Sequence, residues 1–139
     1  MTQRSVRAIV TKKTNSYRKG AFTMKYFDIS EFDCKHTGRN EMQEHFLQAL
    51  DELRKRCGFP FKVTSGYRDP SHPVEARKER PGTHTEGIAA DIAVADGIQR
   101  RKVVEEALKM GFGGIGVAKT FIHVDARKHL ENPMVMWAY

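Results

Sequence analysis

The chain has 139 residues, 40% of them apolar, and a formal charge of +7, the size and composition of one globular domain rather than of a disordered chain. No run approaches the ~20 consecutive apolar residues of a membrane span, so a membrane-spanning role is not expected. Arg4, Arg7, Lys12, Lys13, Arg18 and Lys19 stand in residues 1–23 with no acidic residue beside them, whereas the remainder holds 18 basic against 17 acidic side chains.

Residues 1–23 therefore read as a basic extension ahead of a near-neutral folded domain at 24–139. Such a body argues against specific nucleic-acid binding. The extension lacks the apolar core of a secretory signal. A disordered tail, a transit-type segment and a natural start at Met24 all fit its composition. Two cysteines, Cys34 and Cys57, do not make a disulfide framework or a paired-cysteine zinc knuckle.

Asn40 to Gly58 reads as a helix, with Asn40 as N-cap, Gln43 at the capping-box position and Gly58 as the left-handed terminator. Met42, Phe46, Leu50, Leu53 and Cys57 recur at spacings of three and four, giving one buried stripe. Phe61 to Ser65 reads as a short strand running into Ser65-Gly66-Tyr67-Arg68 and a turn. Residues 70–83, rich in proline and charge, form a long polar loop of the kind that rims functional sites. A second strand follows at Ile88–Val94, a second helix at Ile98–Met110, and two short strands at Gly113–Val117 and Phe121–Asp125. The sum is an α+β plan with a small, mainly antiparallel sheet and flanking helices.

Chemistry concentrates in Gly82-Thr83-His84-Thr85-Glu86-Gly87-Ile88-Ala89-Ala90-Asp91. His84 and Asp91 are seven residues apart, and on a helix that separation spans ~10.5 Å, too far to share one ion. Zinc ligands stand only ~2.0–2.2 Å from the metal, so the chain must fold back between them. Gly87 offers the reversal, and a strand-turn-strand unit is the expected geometry. A third ligand is expected from Phe121-Ile122-His123-Val124-Asp125, whose alternation puts His123 and Asp125 on one face. His84, Asp91 and His123 would leave the fourth position of one Zn2+ open for water, as a hydrolytic site needs. His36, His45, His72 and His129 carry no such pattern and read as ordinary polar residues.

At these residues the chain resembles the zinc D-alanyl-D-alanine carboxypeptidases and related phage endolysins, grouped with VanX-type dipeptidases and the hedgehog signalling domain. Ser65-Gly66-Tyr67-Arg68, then His84, Gly87, Ala89 and Asp91, then His123 in Phe-Ile-His-Val-Asp match that family's three motifs in order. The Gly-Phe-Gly-Gly-Ile-Gly-Val run at 111–117 resembles the phage and prophage branch. The resemblance implies one zinc held by His84, Asp91 and His123, with Arg68 steadying substrate charge and Ser65 and Tyr67 near the substrate. It implies a monomeric peptidase of cell-wall peptides, at a D-Ala-D-Ala end or a cross-link. Such an enzyme waits in the cytoplasm until host lysis releases it to the wall. The other reading of Arg68 is a turn residue paired with Asp69.

Two positions depart from the family pattern. Gly82 replaces a serine, and Thr120 stands where many relatives carry an acidic general base. Asp125 is then the first candidate base and Glu86 the second, while Asp125 equally suits a carboxylate that orients a histidine. Without a base, the same fold would be a zinc-containing wall-binding module.

Overall fold

The computed structural model describes residues 23–128 and 133–139. The basic extension and His129 therefore lie, Thr23 apart, outside the described residues. Among these described residues five strands form one sheet: β1 (Val63–Ser65), β2 (Ala89–Ala93), β3 (Gly114–Val117), β4 (Phe121–Asp125) and β5 (Val135–Ala138). Their order is β1-β2-β4-β3-β5, antiparallel throughout except for the parallel β3–β5 pair. Among the described residues two α-helices, α1 (Glu44–Cys57) and α2 (Gly97–Met110), and a short 3-10 helix at Ile29–Phe32 complete the expected α+β architecture. Among the described residues no helix is long and apolar enough to cross a membrane.

Both helices exist for the reason their stripes suggest. Phe46, Leu47, Leu50 and Leu53 on α1 and Val103, Ala107 and Met110 on α2 are fully buried, and they share one core with Ile92, Ile115, Ile122 and Val124 of the sheet. Each large side chain so buried is worth about 1.5–3 kcal/mol of transfer free energy. Gly58 (φ +76°) and Gly111 (φ +84°) end the helices in the left-handed conformation, and Asp96 caps α2 by accepting from the Gln99 N–H. Cys34 and Cys57 are both free and buried.

The start of α1 departs from expectation. Asn40 is not its N-cap; the helix begins at Glu44 behind Gln43, which makes no side-chain cap. The Asn40 side chain accepts from the Met42 N–H and donates to Ile29 O and Asp33 Oδ1. The Gln43 N–H donates to Gly87 O at 2.9 Å. Residues 40–43 are thus bound as extended chain against a neighbouring turn, a tertiary contact that outweighs the local capping pattern. Strand β5 was not expected at all.

Register places one residue from each strand in a single row. Ser65 pairs with Asp91, Asp91 with His123, His123 with Gly116, and Gly116 with Trp137. Because side chains alternate across a strand, this row lies on the face opposite the helix-covered Ile92, Ile122 and Val124.

Candidate metal centre

His84 sits in a turn, not in a strand, which corrects the strand-turn-strand expectation. Thr85 and Glu86 N–H groups donate to Gly82 O, Gly87 N–H to His84 O and Ile88 N–H to Thr83 O. Backbone hydrogen bonds within residues 82–88 therefore make a tight loop that β2 leaves directly. Gly87 has φ +75°, and a Cβ there would stand 2.2 Å from the Glu41 carbonyl oxygen. Only glycine fits, because the turn lies flat on the segment leading into α1.

That turn, β2 and β4 bring His84, Asp91 and His123 together. All three are buried, and one ligand atom from each lies within 4.8 Å of the others. Asp91 Oδ1 is 3.3 Å from His84 Nε2 and 3.0 Å from His123 Nδ1. Ligands ~2.0–2.1 Å from a tetrahedral zinc are about 3.3 Å apart, so these donors have the spacing such an ion requires.

The far nitrogens are tied as well. His84 Nδ1 lies 2.8 Å from Gly66 O, and His123 Nε2 lies 2.7 Å from Asp125 Oδ2. With each outer nitrogen donating, a cation would displace the proton from each inner nitrogen and meet its lone pair, the tautomer a metal-binding histidine needs. Both the spacing and the donor set fit zinc.

Charge follows this geometry. Burial pushes the Asp91 carboxyl up, but hydrogen bonds from His123 and His84 outweigh it and hold it well below the usual carboxylate range. Burial disfavours charge on His123, yet Asp125 and Asp91 raise its pKa above the ordinary imidazole value. Burial likewise opposes ionisation of Asp125, while His123 and Arg127 bring it down to about 2.

Arg68 adjoins the cluster and is not paired with Asp69. Its Nε donates to Ser65 Oγ at 3.2 Å, Nη1 lies 3.4 Å from Glu75 Oε2, and Nη2 lies 3.6 Å from Asp91 Oδ2. Asp69 pairs instead with Arg39. Tyr67 is a packing residue: its ring is buried and its hydroxyl donates to Glu41 Oε2 at 2.7 Å. Glu86 is exposed on the turn, and Thr120 is exposed where β3 turns into β4. His36 and His72 contact each other by their rings, and neither they nor His45 belong to the cluster.

Sequence reasoning missed Glu75, Arg127 and Trp137. Buried Glu75 accepts from Arg68, Lys78 Nζ, the Gly82 N–H and Thr85 Oγ1, tying the loop of residues 70–83 to the cluster. Nothing in a loop this charged marks one carboxylate as buried. Arg127 and Trp137 follow the last motif and belong to no local pattern.

The family model for Peptidase M15 matches residues 11–125 of this chain. No curated protein matches it.

Proposed function

Because the chain belongs to the peptidase M15 family, one of zinc metallopeptidases, we propose that it is a zinc-dependent hydrolase of peptide bonds in the bacterial cell wall. The substrate is a D-Ala-D-Ala end or a cross-link, and the setting is endolysin-like, in line with the phage-type glycine run at 111–117. The observation that carries this reading is the convergence of His84 Nε2 and His123 Nδ1 on Asp91 Oδ1, with both outer nitrogens tied.

When bound, zinc supplies Lewis acidity, acidifying a water and polarising a carbonyl oxygen. His84, Asp91 and His123 hold it. Arg68, permanently charged, steadies negative charge developing on the substrate carbonyl or a terminal carboxylate. Ser65 fixes Arg68 through the Nε–Oγ hydrogen bond, and Glu75 braces the guanidinium from the other side.

Asp125 serves better as orienter than as base. It is 0% exposed, held to about 2, and bonded to both His123 and Arg127. A proton acceptor near neutral pH needs a far higher pKa and an open lone pair. The same observation supports a second reading, a zinc-containing wall-binding module without catalysis.

Zinc content and amino-group release from purified peptidoglycan, measured together, separate the two. The enzyme reading expects one zinc per chain and release of amino groups, both lost in His84→Ala. One zinc with no release favours the binding module, and full activity in His84→Ala removes the proposed metal centre.

A further inference from the structure

We propose that Arg127 and Trp137, both beyond the residues the family model matches, are positioning residues that aim His123 at the metal through Asp125. The proposal rests on the zinc reading above.

Asp125 has four acceptor positions and all four are filled. His123 Nε2 (2.7 Å) and Arg127 Nη2 (2.8 Å) meet Oδ2, while Arg127 Nε (2.9 Å) and the Arg127 backbone N–H (3.1 Å) meet Oδ1. The guanidinium grips side-on with two parallel donors, so the carboxylate cannot rotate without breaking both. On its other side is Gly114, where a Cβ would come 2.2 Å from Oδ2. The carboxylate occupies the space that this missing side chain leaves, and it has no room to swing away from His123.

Trp137 closes the arrangement from β5. It crosses Gly116, where a Cβ would lie 2.7 Å from the indole. Its ring centroid is 5.0 Å from that of His123, and the Arg127 guanidinium carbon is 5.2 Å from the indole centroid. One indole therefore holds the imidazole against rotation and the guanidinium in its fork. The glycines at 114 and 116, paired with Asp125 and His123 across the sheet, are notches for these two groups. This gives a physical reason for the glycine-rich β3 and for a fifth strand that supplies no ligand of its own.

The variants Arg127→Ala, Arg127→Lys, Trp137→Ala and Trp137→Phe test this. Zinc affinity is measured by competition with a chromogenic chelator, and the His123 Nε2–H signal is followed by proton–nitrogen NMR. Arg127→Ala is expected to bind zinc about 10–100-fold more weakly, the usual effect of losing a ligand's hydrogen-bonded support, and to lose the Nε2–H signal to solvent exchange. Arg127→Lys keeps the charge without the fork and falls between; it carries the test where Arg127→Ala does not fold. Trp137→Phe recovers most of what Trp137→Ala loses. Val103→Ala, in the core of α2, is destabilised but keeps wild-type zinc affinity.

Wild-type affinity and an unchanged Nε2–H signal in both Arg127 variants overturn the proposal. So does an equal loss of zinc in Val103→Ala, which reduces the effect to stability. Should wild type bind no zinc, the zinc reading fails by itself. The Nε2–H signal of the metal-free protein then decides the positioning role, and its persistence in both Arg127 variants refutes it.

Discussion

Gly87→Ala measures how tightly the His84 turn is docked on the rest of the fold. Two penalties combine at this position. A left-handed φ of +75° costs an L-residue about 1–2 kcal/mol. A Cβ 2.2 Å from Glu41 O and 3.1 Å from Met42 Cα meets backbone on both contacts, and relieving such an overlap typically costs about 1–3 kcal/mol more. The sum is about 2–5 kcal/mol. Gly58→Ala is the matched control, because Gly58 has nearly the same φ, +76°, with nothing within 4 Å of its Cβ position. It carries only the left-handed penalty. Urea unfolding of chelator-treated protein reads both, and with slopes of about 1–3 kcal/mol/M the extra loss in Gly87→Ala is a midpoint shift of roughly 1 M. Equal shifts for the two variants would show that the turn is not pressed against the α1 entry, and the account of why His84 stays in place would fail.

Asp125→Asn is expected to weaken zinc binding about 10–100-fold while any remaining loaded enzyme keeps most of its turnover; intact zinc affinity with turnover abolished would instead identify Asp125 as the base. Glu75, which burial would raise but which Lys78, Thr85 and the Gly82 N–H bring from 4.5 down to about 2, stabilises the fold fully above pH ~4.5. That contribution is lost as pH falls toward 2, so acid titration followed by circular dichroism is expected to show a component absent from Glu75→Gln. Cys57, whose thiol burial pushes up to about 12, is expected to resist thiol reagents at pH 8 until urea unfolds the chain.

What could be read without coordinates was what local periodicity encodes. The α1 stripe, the alternation of Phe121–Asp125 and the glycine terminators are properties of neighbouring residues, and the fold keeps them. Asn40 misled because its neighbours are recruited by Gly87, forty-odd positions away. β5 escaped because its four residues, Val135–Ala138, are all apolar although Met136 is exposed, so no alternation of apolar and polar residues marks the strand. Its partner is β3, reached only by a non-local parallel pairing. The candidate metal-binding triad could be read because His84 and Asp91 share one short motif and His123 stands in another. Its support could not, because Glu75, Arg127 and Trp137 become meaningful only where loop and strand pack.

Sheet register ties the metal centre to the hydrophobic core. Slipping β4 by one residue against β2 would turn His123 and Asp125 toward the helices and move Ile122 and Val124 out of the core onto the polar face of the cluster, since side-chain period is two. Ile122 and Val124 are each 0% exposed, and taking such side chains out of an apolar core forfeits up to about 1.5–3 kcal/mol apiece. Buried, charged Asp125 would meanwhile be carried off the Gly114 notch into the apolar core, where a charge is costly to bury. The register that buries the aliphatic residues is therefore the one that aligns Ser65, Asp91, His123, Gly116 and Trp137. Precision at Asp91 and His123 comes from apolar packing on the opposite face, and core substitutions that leave register intact should leave zinc affinity intact too.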